Sequence, residues 1–223
     1  MAFDSPVSLK IYRNFKAIEP TDWPRVVRYF ERHEVAIRDL GFDEYFDCLR
    51  GYTEALFHSG QSAKHLVMSE ALIQEIFGKN VRAWHGEDVF AQALFQKAAS
   101  HYNLDELARS EHVLRELLKI CPDYPLAAAL LFRVFRAKKS VFLKKTRGAA
   151  LVLFLLAVPL IAVQLFVVRP FYPDFNLIFS WIWWVSFAFG WVALALGDGW
   201  QYWSAKRQVR QIVRESRLKK RVL

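Results

Sequence analysis

The sequence predicts an all-α protein: antiparallel helical hairpins, then two transmembrane helices and a basic C-terminal tail helix. Three observations predict it. Apolar residues recur at spacings of three and four through residues 21–124, which is the repeat of one helix face. Residues 148–168 and 177–197 are apolar and uncharged, and about 20 such residues cross a ~30 Å hydrocarbon core at 1.5 Å per residue. Basic residues crowd the outer ends of both stretches.

Taken in order, residues 1–20 read as an irregular N-terminal arm ending at Glu19-Pro20, and residues 21–124 as a cytoplasmic helical domain. Thr21 or Asp22 caps a helix that opens on Trp23-Pro24, where proline's missing donor costs little. Val26, Val27, Phe30, Ile37 and Leu40 form its apolar face, and Gly41 stops it. A second helix spans Asp43 to His58, with Tyr45, Phe46, Leu49, Tyr52 and Leu56 at helical spacing and Ser59-Gly60 at its end. The third begins at Ser62, carries Leu66, Leu72, Ile73 and Ile76, and stops at Gly78. Lys79 to Gly86 is the longest irregular connection of the domain, and its Trp84 and His85 are partner-binding candidates because loop aromatics are frequent anchors. Two further helices, Glu87 to His101 and Leu104 to Ile120, close on Cys121-Pro122-Asp123-Tyr124-Pro125.

This later pair resembles a tetratricopeptide repeat. Ala98, Ser110, Leu114, Leu117, Leu118 and Pro122 fall near the motif's positions, and LRELLKICPDYP looks like a repeat end. In the pair over residues 43–77, Gly60 suits the turn, while His65 stands where a small residue is usual. The pairs are about 43 residues apart instead of ~34, and the excess falls in the Lys79–Gly86 loop. The resemblance covers roughly residues 42–124. It implies stacked hairpins with a concave groove for peptides or partner helices, and Tyr45, Arg50, Tyr52, Glu54 and Gln92 are the groove candidates.

Residues 125–147 read as a capping and juxtamembrane basic helix, continuous with the first span, 148–168. In that span Gln164 is the only polar side chain, and Pro159 predicts a kink. Residues 169–176 form a turn with Pro170 and Pro173, and residues 177–197 the second span. Trp181, Trp183 and Trp184 near its start, and Trp200, Tyr202 and Trp203 beyond its end, match interfacial aromatic belts. Residues 198–223 are a basic amphipathic tail with Val209, Ile212, Val213 and Ser216 on one face, expected to lie in the interface. Lys144, Lys145 and Arg147 would sit among anionic lipid headgroups. The turn's only basic residue is Arg169, so both termini are expected in the cytoplasm, and the chain in a bacterial inner membrane. Met1 to Ile18 has no continuous apolar core, so the first span is expected to act as the insertion signal.

Net charge is +9, unevenly spread. Residues 133–147 carry seven basic and no acidic groups, and residues 204–223 eight basic groups against Glu215. Residues 1–132 hold fifteen basic and nineteen acidic groups. The excess belongs to the membrane flanks, which argues against a nucleic-acid surface. Cys48 and Cys121 are far apart and read as small buried hydrophobes. Of the six histidines none makes a zinc motif, and phosphate-binding, dinucleotide and nucleophile-elbow patterns are missing. No catalytic, cofactor or metal residue is expected, and the chain does not read as an enzyme. The expected role is a membrane-anchored protein–protein interaction scaffold, adaptor or accessory subunit of a membrane complex, with partners bound by the helical domain and by the spans. The competing expectation is an oligomeric transport or pore-forming protein, its path lined by Gln164, Ser180, Ser186 and Asp198. The otherwise apolar spans argue against a wet path.

Overall fold

A computed structural model describes residues 6–81, 83–138, 148, a few positions between 151 and 166, and 176–222. Among these the regular structure is helical, and one isolated bridge joins Trp84 to Glu87. The helices are α1 (Pro6–Lys16), α2 (Trp23–Arg32), α3 (Glu34–Arg38), α4 (Phe42–His58), α5 (Ser62–Gly78), α6 (Val89–Asn103), α7 (Leu107–Ile120), α8 (Pro125–Ala137) and α9 (Asn176–Val222). The chain divides into two compact units, residues 1–134 with 212–223, and residues 135–211.

The first unit is built as the apolar periodicity requires. Helices α4, α5, α6 and α7 pack each against the next, the arrangement of stacked hairpins, and α2 lies on α4. The core runs from Phe15, Val27 and Phe30 through Phe46, Leu49 and Leu56 to Leu72 and Ile76. Phe30 stacks flat on Tyr52, with ring centroids 4.1 Å apart. Farther along, Leu114, Leu117, Leu118, Leu131 and Val134 are fully buried. Where α6 crosses α7, Ala98 leaves room for Ser110, whose hydroxyl donates to the Ala98 carbonyl at 2.8 Å.

Three hairpin helices end by one device. Gly60, Asn80 and Asp105 adopt φ of 71°, 53° and 60°. The next amide then reaches back, Gln61 to the Leu56 carbonyl, Val81 to Ile76 and Glu106 to His101, at 3.0, 2.9 and 2.9 Å. This left-handed cap satisfies carbonyls that the helix end leaves orphaned, and Gly, Asn and Asp are the residues that enter that conformation most easily. The stop after α5 is therefore Asn80, not the expected Gly78. At their starts, Asp22 and Asp88 accept hydrogen bonds from the Arg25 and Ala91 amides, at 3.2 and 2.9 Å.

Several expectations are corrected. Much of the arm over residues 1–20 is the helix α1, anchored by Phe15, which is buried in the domain core. The helix expected from Trp23 to Leu40 breaks at His33 (φ −114°, ψ 18°), whose amide caps α2 on the Tyr29 and Phe30 carbonyls. The later pair starts at Val89 and Leu107, two and three residues after the expected starts, because Asp88 and Glu106 are the cap residues. The second span and the tail, expected as two elements, form one 47-residue helix about 70 Å long. Gly197 and Gly199 do not break it, since each costs a helix only about 1 kcal/mol. Nor is the tail's end a free-standing amphipathic segment: residues 212–223 belong to the first unit, Ser216 is buried, and Arg217 pairs with Asp123 at 2.8 Å.

Residues 139–147, the 169–175 part of the turn, and most side chains of 148–168 and 177–197 lie outside the described residues. Among the described residues no helix is long and apolar enough to cross a membrane. Those described in these stretches expose large apolar side chains, with Leu155 62 %, Phe166 71 % and Trp181 70 % accessible.

Candidate functional site

The face of α4 carrying Asp47, Arg50, Gly51 and Glu54 (i, i+3, i+4, i+7) is the centre of the site. On one side it walls a cleft of about 320 Å³. Phe15 and Ile18 from the end of α1, and Pro20, Trp23 and Val26 from α2 and its approach, supply the apolar wall. On the other side, Arg50 and Glu54 also border a small hollow against α6, with Gln92 and Gln96 opposite. The two depressions therefore share Arg50 and Glu54 and form one groove across α4.

Gly51 sets the depth of the cleft. A Cβ there would stand 3.2 Å from the tip of the Phe15 ring. A mid-helix glycine costs helix stability, and here the return is close approach of α1 to α4.

The charges along the groove are ordered by burial. Asp47 accepts the Tyr12 hydroxyl at 2.9 Å and pairs with Lys16. Burial alone would raise the Asp47 carboxyl, but the hydrogen bonds from Lys16 and Tyr12 outweigh it and hold the group below the ordinary carboxylate range. Burial and the Asp47 carboxylate together push the Tyr12 phenol far up. Arg50 pairs with Glu87. Glu87 is placed by a tight turn: Trp84 and Glu87 exchange two backbone hydrogen bonds of 3.0 Å, while His85 and Gly86 take φ of 50° and 84°. Positive φ at both central residues is the hairpin turn that favours glycine in second place. It lifts the exposed His85 to the cleft rim. Glu54 has no ion pair or hydrogen bond among the described residues.

Of the sequence candidates, the structure brings Arg50, Glu54 and Gln92 into one groove and adds His85 at its edge. Tyr52 does not line the groove: it is buried against Phe30, and its hydroxyl donates to Glu31 at 3.2 Å. Burial and the nearby Glu31 raise its phenol to about 12. Tyr45 is half-buried against the core. Trp84 also belongs to packing, its ring meeting Phe46 edge-on at 4.8 Å. Lys144, Lys145 and Arg147 lie outside the described residues. So do the side chains of Trp183 and Trp200, although their backbone is in α9. Trp181, Trp184 and Trp203 are exposed, and the Arg207 guanidinium lies 3.7 Å over the Trp203 ring. The pore-path residues Gln164, Ser180, Ser186 and Asp198 also have side chains outside the described residues.

Lys16, Trp23, Asp47 and Gly51 were missed by sequence reasoning. Lys16 and Asp47 pair across 31 positions through α1, a helix without a strong local signature, so no short-range pattern announces the pair. No group of His, Cys, Asp or Glu able to hold a metal ion occurs among the described residues. Cys48 is buried, and burial pushes its thiol up to about 12, which leaves it inert. No protein-family model, no curated protein and no solved structure matches this chain.

Proposed function

We propose that this chain is a membrane-anchored interaction scaffold, whose helical domain presents the α4 groove to partner proteins near the bilayer. The observation that carries the reading is that groove: two depressions that share Arg50 and Glu54, between α4 and the helices α1, α2 and α6. Among the described residues the groove assembles no nucleophile–base pair and no metal set, which suits recognition better than catalysis.

Membrane anchoring is supported by composition and exposure together. The stretches 148–168 and 177–197 carry no charge, and their described large side chains point outward, unlike those of a soluble domain. Past the second stretch, Trp203 under Arg207, and Tyr202 with Lys206 5.7 Å above its ring, pair an amphipathic aromatic with a cation one helical turn on. Such pairs suit the headgroup level of an anionic leaflet. In this reading the protein spans a bacterial inner membrane twice, with both termini in the cytoplasm.

Photo-crosslinking in cells tests the whole. A crosslinker at Gln92 is expected to trap a discrete protein, and Arg50→Glu is expected to abolish the adduct. A crosslinker at Arg109, exposed on α7, should not trap it. Equal adducts from both positions, or none from Gln92, would overturn the scaffold reading. Release of the chain from membranes by alkaline carbonate would overturn the anchor.

A further inference from the structure

We infer that the cleft between α1, α2 and α4 is a pocket for the basic side chain of a lysine- or arginine-bearing peptide. The inference deepens the groove reading and rests on it. The argument is one of charge and shape. Asp47 is engaged by Lys16 and Tyr12, and Arg50 by Glu87. Glu54 alone brings to the cleft wall a carboxylate that has no ion-pair partner among the described residues. Opposite it the wall is apolar and aromatic: Ile18, Val26 and the Trp23 indole, itself backed by the His58 ring at 4.6 Å.

A long cationic side chain meets both demands. Its methylenes lie along aliphatic wall while its head reaches a carboxylate, and an indole face attracts the same head. An anionic ligand would meet Glu54 unpaired, and a wholly apolar one would bury that carboxylate at a cost. At about 320 Å³ the cleft stands at the small end of ligand pockets, with room for a side chain or two.

The test uses the full chain in phosphatidylcholine nanodiscs, which carry no net charge to attract basic probes. The probes are fluorescein-labelled acetyl-Leu-X-Leu amides with X as Lys, Gln or Glu, read by anisotropy. The Lys peptide is expected to bind about tenfold tighter than the Gln peptide, a typical effect of one charge-assisted contact. Glu54→Gln should remove that preference, and Glu54→Lys should turn it toward the Glu peptide, a gain that misfolding cannot produce. Trp23→Leu should weaken the Lys peptide more than the Gln peptide. Equal binding of Lys and Gln peptides, or a preference untouched by Glu54→Gln, would overturn the inference. Displacement of the Lys peptide by n-butylammonium at equal affinity would reassign the pocket to free amines and overturn the peptide. If the Gln92 crosslink persists while the peptides show no preference, the scaffold stands and only the cation pocket falls.

Discussion

At the scale of single residues, the feature with the clearest energetic consequence is His65. Its side chain is fully buried between α5 and α6, with Nδ1 2.8 Å from the Ser100 hydroxyl. Burial pushes its pKa down to about 4, opposed only in part by the Gln96 side chain. The sign follows from comparing the two states. Below its ordinary value of about 6.5 the unfolded chain takes up this proton, while the folded chain refuses it until about 4. Stability from this group is therefore complete above the unfolded value and declines as pH falls from there toward 4. The slope of ~1.4 kcal/mol per unit gives about 2 kcal/mol lost by pH 5. Asp47 and Glu31 are held below the ordinary carboxylate range by Lys16 and Lys64, so they contribute little to the change between pH 7 and 5. Amide exchange in α5 and α6, corrected for intrinsic rates, should be roughly 30-fold less protected at pH 5 than at pH 7. In His65→Gln, which cannot titrate, the difference should shrink to a few-fold. A pH dependence equal in the two proteins would show that His65 is not its source.

Among the elements, α1 depends on others for its place. It is seated by Phe15 against the bare surface of Gly51, and by Tyr12 and Lys16 on Asp47. Gly51→Leu should expel it: trypsin is expected to cut after Lys10, Arg13 and Lys16 several-fold faster, with α6 and α7 as resistant as before. Unchanged cutting would mean that α1 does not need the Gly51 approach. The α6–α7 crossing makes a second demand for a small residue. Ala98 is fully buried beside Ser110, so Ala98→Leu should cost about 1–3 kcal/mol of overpacking, read as a lower melting temperature of the purified chain. How much was legible in the sequence follows the range of the forces. Ala98, Ser110 and the periodic faces of α4 to α7 are local patterns, and Arg50, Glu54 and Gln92 could be placed on the groove from them. The α1 helix and the Lys16–Asp47 pair are set by contacts distant in sequence. Asn80 was passed over for Gly78 because glycine is the commoner left-handed cap, though asparagine serves as well.

For the whole molecule, the decisive fact is that the first unit is assembled from both ends of the chain, residues 1–134 with 212–223. A chain that leaves a folded unit, crosses a bilayer and returns to complete the same unit has to cross an even number of times. In the membrane-anchored reading proposed above, the two apolar stretches would supply that number and the basic flanks the direction. The exposed Arg217–Asp123 ion pair marks the closure without holding it, since exposed pairs contribute about 0–1 kcal/mol. Ser216, the residue before Arg217, is buried. The closure can be tested in native membranes. In a chain with Cys48→Ala and Cys121→Ser, the pair Asp123→Cys and Arg217→Cys should be joined within one molecule by a short bismaleimide, reaching half-completion well before either cysteine reacts with a neighbouring molecule. In the same background, Phe175→Cys, between the two apolar stretches, should on the proposed topology react with an impermeant maleimide only from the opposite face of the membrane. Joining of the first pair together with opposite-face labelling at 175 is the expected result, and it requires a two-span hairpin. If position 175 labels from the same face as 123 and 217, the chain does not cross, and the apolar stretches must lie on the membrane or against a partner. Failure of the pair to join would separate the tail from the helical domain and remove the closure on which the even count depends.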